Sequence, residues 1–127
     1  MSGGPGWTGA SGLPTRILLA RHGQTPLSVD RRYSGQGDPA VTGIGLQQAE
    51  RTAARLAAQP RLAAVVSSPL QRCLATAERA AEAAGVPLVV DEDLIETDFG
   101  AWEGLTFREA AEQDPQLHSR WLGDTTV

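Results

Sequence analysis

Three short apolar runs, each followed by a helical pattern, constrain the fold of this chain more than any other feature. Residues 16–20, 62–66 and 87–90 are continuous, apolar and bounded by turn residues, so each is predicted to form a strand, the first a buried one. The resulting order is β-α-β-α-β-α. This alternation predicts an α/β fold with a mostly parallel sheet and right-handed crossovers, built as three α/β/α layers.

Capping residues predict where the helices begin and end. Ser68 and Gln71 have the spacing of a capping box for the helix after the second run. Gly85 is predicted to end that helix, since glycine adopts the left-handed conformation of a C-cap at low cost. Thr42 and Thr106 are predicted to cap the preceding and following helices.

Composition excludes several classes of protein. The chain has 127 residues, which suits one domain, and a net charge of −4, which argues against nonspecific binding of nucleic acid. One cysteine excludes an intrachain disulfide framework, and with only two histidines no dedicated metal site is expected. No run approaches the roughly 20 apolar residues of a membrane span, and residues 1–15 are not expected to act as a secretory signal, because they have no basic and no apolar segment. We therefore expect a cytoplasmic chain without a membrane partner.

The N-terminus differs from the rest of the chain in composition. Residues 1–14 are rich in glycine and are expected to form a flexible tail, or a linker to an upstream domain. Residues 15–127 are expected to form the folded domain.

Charged side chains follow each predicted strand, at the edge where parallel sheets bind ligands. Arg21 and His22 follow the first strand and precede Gly23, a combination that suits an anion pocket. Arg72 follows the second strand, in the first turn of a helix, where the helix dipole disfavours a cation. Arg72 is therefore either a solvent-facing side chain or a ligand of a bound anion.

Glu96 follows the third strand and precedes turns that contain aromatic residues. Such turns could fold the carboxyl over a pocket, where aromatic shielding raises its pKa and suits a general acid. Trp102, Phe107 and Trp121 are interpreted as packing groups, because no basic patch accompanies them. His118 lies on a predicted helix and follows no strand end, so it is expected at the surface.

Five motifs in chain order resemble those of the histidine phosphatase superfamily, also called phosphoglycerate mutase-like. The resemblance spans roughly residues 16–122 and implies the phosphoglycerate mutase-like fold. The motifs are Arg21-His22-Gly23-Gln24-Thr25, Tyr33-Ser34-Gly35, Thr42-x-x-Gly45-x-x-Gln48-Ala49, Ser67-Ser68-Pro69-x-x-Arg72-x-x-x-Thr76 and Leu94-x-Glu96-x-x-Phe99-Gly100-x-Trp102-Glu103-Gly104.

The resemblance implies a phosphohistidine mechanism. His22 would attack phosphorus, Arg21 and Arg72 would bind the phosphoryl oxygens, and Glu96 would act as general acid and then as general base. No metal and no other cofactor would be required, because guanidinium groups supply the positive charge. The remaining substrate-binding positions implied by the family are Gly23, Thr25, Ser28, Ser34 and Gly35.

Two departures from the family pattern bear on activity. Ser28 stands where many members have asparagine, and the second pocket histidine of the family, which follows a later strand, has no counterpart before Val127. We therefore expect the N-terminal portion of a longer domain. Loss of one transition-state donor costs about 10²–10³ in rate, so weak residual activity is expected.

Three functional hypotheses remain open. The first is a phosphatase acting on a small phosphorylated metabolite, similar to α-ribazole phosphatases and to the phosphatase half of bifunctional ribonuclease H/acid phosphatase proteins, which would place another domain upstream. The second is a phosphoglycerate mutase, less favoured because Phe99 stands where mutases usually carry tyrosine. The third is an inactive fragment that binds phosphorylated ligands. The oligomeric state is left open, with a dimer as one alternative.

Overall fold

The computed structural model describes residues 14–124, so the tail predicted for residues 1–14 lies, apart from Pro14, outside the described residues. The elements, in chain order, are α1 (Pro26–Val29), α2 (Gly43–Ala57), β1 (Val65–Ser67), α3 (Gln71–Ala84), β2 (Leu88–Val90), 3₁₀ turns at Glu92–Leu94 and Gly100–Trp102, α4 (Phe107–Gln113) and α5 (Pro115–Gly123). No helix in residues 14–124 is long and apolar enough to span a membrane.

The two strands pair in parallel and α3 forms the crossover between them. Val65 pairs with Leu88 and Ser67 with Val90. Hydrogen bonds at both ends fix this register: Val65 donates to the Pro87 carbonyl at 2.9 Å, and Asp91 donates to the Ser67 carbonyl at 2.9 Å. Helix α3 packs against both strands. The prediction of an α/β fold with a parallel sheet is confirmed, and two of the three predicted strands form.

The prediction of a strand at residues 16–20 is wrong, because the structure describes these residues as irregular chain. Within residues 14–124 the sheet contains β1 and β2 alone, and the 16–20 segment joins neither. Ile17 and Leu19 are 78% and 95% exposed. The segment lines a surface recess together with Thr52 and Arg55 of α2. An apolar run encodes a tendency to be buried, but a strand also needs a neighbouring strand to accept its backbone hydrogen bonds.

Helices α2 and α3 pack along each other through alanines. Five buried positions on these two helices are alanines, whose small side chains allow the helix axes to approach closely. They are Ala49, Ala53, Ala77, Ala80 and Ala81. The predicted cap of α2 is confirmed, because the Thr42 hydroxyl accepts from the Gly45 amide at 3.0 Å.

The capping box predicted for α3 is wrong. The N-cap is Leu70, whose side chain cannot accept a hydrogen bond. The Gln71 amide instead donates to the Asp38 carboxylate at 2.7 Å, so a loop distant in sequence supplies the acceptor. An anion at this end is also favoured by the helix dipole. The predicted C-terminus is confirmed, since Gly85 adopts a φ of 66°.

Aromatic residues between Phe99 and Trp121 pack together with Tyr33 as a second cluster. The Thr106 hydroxyl caps α4 by accepting from the Glu109 amide at 3.1 Å, as predicted. Tyr33 lies at the centre, with ring centroids 4.7 Å from Phe107, 6.0 Å from Trp102 and 5.7 Å from Trp121. Trp102 and Trp121 are packing groups, as predicted. Phe107 contacts the Tyr33 ring but is 53% exposed.

The surface position predicted for His118 is wrong. Its side chain lies in this aromatic cluster and the residue is only 7% exposed. His118 Nε2 and the Tyr33 hydroxyl share a hydrogen bond of 2.8 Å, and the Trp102 ring stands edge-on at 5.2 Å. Helical context gave no sign of this because the hydrogen-bond partner is 85 positions away in sequence.

Candidate active site

His22 lies in the loop after residues 16–20, partly buried, with its ring orientation fixed by a backbone group. Nδ1 lies 2.7 Å from the Gly23 carbonyl oxygen. A carbonyl oxygen can only accept, so Nδ1 carries the proton and donates it. Nε2 is then the unprotonated nitrogen, and its lone pair is available to a ligand.

The electrostatic surroundings of His22 favour the neutral ring. Burial lowers the pKa of His22 below its ordinary value of 6.5, and the charges of Arg72 and Arg21 lower it further. The hydrogen bond to the Gly23 carbonyl and the charge of Glu96 act in the opposite direction. The charges of Arg72, Arg21 and Glu96 therefore all act on the His22 ring.

Gly23 holds the His22 loop against the first turn of α2. A Cβ at Gly23 would overlap the carbonyl oxygen of Gly45, and a Cβ at Gly45 would overlap that of Gln24. The Thr42 amide donates to the Gln24 carbonyl at 2.8 Å, and the Gln24 amide donates to Gln48 Oε1 at 2.8 Å. Gly23 is thus buried beneath α2, where close backbone packing requires glycine.

Thr25 and Ser28 form the reciprocal capping box of α1. The Thr25 hydroxyl accepts from the Ser28 amide at 3.2 Å, and the Ser28 hydroxyl accepts from the Thr25 amide at 2.9 Å. The Ser28 hydroxyl also donates to the Thr25 carbonyl at 3.0 Å. Thr25 is fully buried, so the structure gives its hydroxyl a role in shaping the turn behind His22.

A cavity of about 460 Å³ opens beside His22. Its lining combines the His22 loop, one residue of α1 and one face of α2: Arg21, His22, Gly23, Gln24, Ser28, Gln48 and Thr52. Sequence reasoning did not place Thr52 here, although its helical spacing of four from Gln48 was a usable signal. In residues 14–124, no group of three or more His, Cys, Asp or Glu side chains is arranged to hold a metal ion.

Arg72 is buried rather than solvent-facing, with 2% of the residue exposed. One terminal nitrogen donates to the Gly37 carbonyl at 2.9 Å, and the other donates to the Gly35 and Ser34 carbonyls at 2.7 and 3.2 Å. Carbonyl oxygens orient a guanidinium without neutralising its charge. Nε is buried and has no hydrogen-bond partner among the residues that the structure describes.

Ser34 and Gly35 belong to the loop that carries these carbonyls. The Gly35 amide donates to both carboxylate oxygens of Glu103, at 2.9 and 3.1 Å. The Ser34 hydroxyl is buried without a partner in the described part of the chain. Sequence reasoning missed Glu103 and Asp38 as supports of this loop, and only the position of Glu103 inside the fifth motif could have signalled it.

Glu96 is exposed, so the prediction that aromatic rings shield its carboxyl is wrong. The rings that were expected to cover it pack around Tyr33 instead. Glu96 Oε1 accepts from the Thr97 amide at 2.8 Å, and the Gln36 side-chain amide donates to the Glu96 carbonyl at 3.3 Å. The second of these contacts ties the Glu96 loop to the loop that holds Arg72.

Comparison with known proteins identifies the family. Residues 17–127 match the histidine phosphatase superfamily, branch 1. The chain belongs to this superfamily. It is 62% identical over 123 residues to a bifunctional protein of Mycobacterium tuberculosis, an alignment that covers 97% of this chain and 34% of that relative.

Solved structures of superfamily members agree with the fold. Mycobacterial glucosyl-3-phosphoglycerate phosphatase in complex with VO₃ aligns with a TM-score of 0.75 at 36% identity, covering 84% of this chain and 52% of the other. The α-ribazole phosphatase of Shigella flexneri aligns with a TM-score of 0.68 at 29% identity, covering 81% and 50%. The predicted resemblance and the phosphoglycerate mutase-like α/β fold are confirmed. The chain spans a third to a half of the length of these relatives.

Proposed function

We propose that this chain carries phosphomonoester hydrolysis through a phosphohistidine on His22. One observation carries the proposal: the Gly23 carbonyl holds the Nδ1 proton, so Nε2 presents its lone pair near the charges of Arg21 and Arg72. The lowered pKa of His22 keeps this nitrogen unprotonated at neutral pH. A neutral nucleophile beside uncompensated guanidinium charge suits attack on a phosphate dianion.

In the first step, His22 Nε2 attacks phosphorus and the ester P–O bond breaks. Arg72 and Arg21 bind the equatorial phosphoryl oxygens and stabilise the charge of the transition state. The buried Arg72 supplies a full positive charge, because the partners of its terminal nitrogens are uncharged carbonyls. The leaving oxygen takes the proton of the Glu96 carboxyl.

In the second step, the Glu96 carboxylate accepts a proton from water as the water oxygen attacks the phosphohistidine. The N–P bond breaks, inorganic phosphate leaves, and His22 Nε2 recovers its lone pair. The exposed position of Glu96 supports this role, since its carboxylate can exchange protons with solvent. Positioning and charge supply the catalysis, without a step that requires a metal.

The substrate class we propose is a small phosphorylated metabolite. Two relatives are named as phosphatases of such compounds, which supports a phosphate monoester as the substrate. The cavity beside His22 supports a polar leaving group, because the polar residues Gln24, Ser28, Gln48 and Thr52 are among those that line it.

Hydrolysis of p-nitrophenyl phosphate in excess EDTA tests the proposal. Wild type and His22→Ala are compared, with Glu112→Gln as a control on an exposed carboxylate, and circular dichroism reports folding of each. Turnover that is lost only in His22→Ala supports the mechanism. Turnover that survives in His22→Ala contradicts it. A folded wild type that binds phosphate in calorimetry without turnover contradicts hydrolysis and favours a binding role.

A further inference from the structure

The loop of residues 34–38 is held from two sides. On one side it contacts the first turn of α3, and on the other side it contacts Glu103, just after the 3₁₀ turn at Gly100–Trp102. We call residues 34–38 the clamp loop. Its carbonyl oxygens accept three hydrogen bonds from the Arg72 guanidinium.

On the α3 side, the clamp loop contacts both the backbone beside Arg72 and the Arg72 guanidinium. Asp38 accepts from the amide of Gln71, which adjoins Arg72 in the chain. The carbonyls of Gly35 and Gly37 accept from the two terminal nitrogens of the guanidinium. The direction in which Arg72 points is therefore set by the conformation of the clamp loop.

The Glu103 side fixes one peptide plane of that loop. The amide N–H of Gly35 donates to both Glu103 oxygens. The same planar peptide unit carries the Ser34 carbonyl, which accepts from Arg72 at 3.2 Å. A peptide unit is rigid, so its N–H and C=O turn together. Glu103 and Arg72 thus form hydrogen bonds to opposite ends of the Ser34–Gly35 peptide unit.

Close packing leaves the clamp loop little freedom while Glu103 is in place. A Cβ at Gly35 would overlap the Thr97 carbonyl oxygen and lie 2.9 Å from Glu103 Oε1. A Cβ at Gly37 would lie 2.7 Å from Glu103 Oε2. Hydrogen bonds to a carboxylate are roughly twice as strong as those between neutral groups, and they polarise the peptide toward a better carbonyl acceptor.

We infer that Glu103 is a positioning residue for Arg72, acting through the Ser34–Gly35 peptide plane. This inference rests on the proposed function, in which Arg72 binds the phosphoryl oxygens. Without the Glu103 acceptor the plane is free to rotate and the Ser34 carbonyl leaves Arg72. The guanidinium then keeps only the Gly35 and Gly37 carbonyls, and its direction is less tightly fixed. Phosphate affinity falls because an anion must then order Arg72 as it binds.

The test compares three variants of the full chain. Glu103→Met removes both acceptors at similar volume, Glu103→Gln keeps one neutral acceptor, and Glu112→Met is a matched change at an exposed carboxylate. Calorimetry measures the affinity for inorganic phosphate. Nuclear magnetic resonance measures solvent exchange of the Arg72 Nε–H, a group that is buried in wild type. This exchange readout needs no bound anion.

Glu103→Met is expected to weaken phosphate binding about tenfold and to accelerate exchange of the Arg72 Nε–H. Glu103→Gln is expected to give smaller changes in the same direction, and Glu112→Met none. If both Glu103 variants bind phosphate and exchange the Arg72 Nε–H as the wild type does, the positioning role is overturned. If Glu103→Met does not fold, unchanged exchange in folded Glu103→Gln overturns it. If the Glu103 variants accelerate exchange of the Arg72 Nε–H but the wild type binds no phosphate, the positioning of Arg72 by Glu103 is supported and the proposed function is overturned.

Discussion

The hydrogen bond between Tyr33 and His118 predicts a strong energetic coupling inside the aromatic cluster. Both residues are 7% exposed, and the hydroxyl lies 2.8 Å from Nε2. Tyr33→Phe leaves the imidazole nitrogen buried without a partner, and His118→Leu leaves the phenol in the same state. Removing both partners leaves no unpaired polar atom in the cluster.

The magnitude follows from the cost of an unpaired buried polar group. Each single substitution is expected to lower the free energy of unfolding by about 1–3 kcal/mol, whereas the double variant is expected to lie within about 1 kcal/mol of wild type. In a chain of this size, 1 kcal/mol corresponds to about 3–6 °C in Tm. The coupling energy is thus of the same order as one single substitution.

Urea unfolding followed by tryptophan fluorescence measures these free energies, because Trp102 and Trp121 lie in the cluster. Additive effects, in which the double variant loses the sum of the two single losses, would refute the hydrogen bond.

The pH dependence of stability gives a second check. Burial raises the pKa of Tyr33 above 10.0, so its contribution to stability is present below pH 10 and lost as pH rises through the raised pKa. Tyr33→Phe removes this alkaline loss.

Three further predictions concern the His22 loop and the helix ends. Because the pKa of His22 is lowered, the acid limb of kcat/KM is expected below pH 6.5, and an acid limb with its midpoint above pH 6.5 would contradict this. Gly45→Ala is expected to destabilise the chain and reduce turnover, because the new Cβ would overlap the Gln24 carbonyl oxygen. In Gly43→Ala the new Cβ meets open space, so this variant is expected to be more stable by up to about 1 kcal/mol. Thermal unfolding and turnover of p-nitrophenyl phosphate measure both effects. Gly85→Ala is expected to cost about 1 kcal/mol in urea unfolding because of its φ of 66°, and an unchanged midpoint would contradict that strain.

Local signals in the sequence predict much of the fold. Thr42 and Thr106 cap helices because their hydroxyls act three residues along the chain, a distance that sequence reasoning covers. The same reasoning failed at Ser68, because the carboxylate of Asp38 replaces the local cap from 33 positions away. The run at 16–20 has the composition of a buried strand, but composition does not supply a pairing partner.

The sequence indicates which residues belong to the candidate site but not how these residues contact one another. The motifs around His22 and Arg72 indicate an anion pocket, and in the structure the charge of Arg72 lowers the pKa of His22. The tautomer of His22 could not be predicted, because it depends on where one carbonyl oxygen points. The roles of Glu103 and His118 depend on partners 68 and 85 positions away, so a local motif can mark such a residue but cannot name its partner.

Trapping the phosphoenzyme is the measurement we would make first. Glu96→Gln cannot accept a proton from water, so the phosphohistidine is expected to accumulate when this variant of the chain is mixed with p-nitrophenyl phosphate and quenched in base. Peptide mass spectrometry is expected to locate an acid-labile phosphoryl group on His22, and His22→Ala carries none. A phosphoryl group on another residue, or p-nitrophenol released by wild type while no variant ever carries one on His22, would contradict the phosphohistidine mechanism.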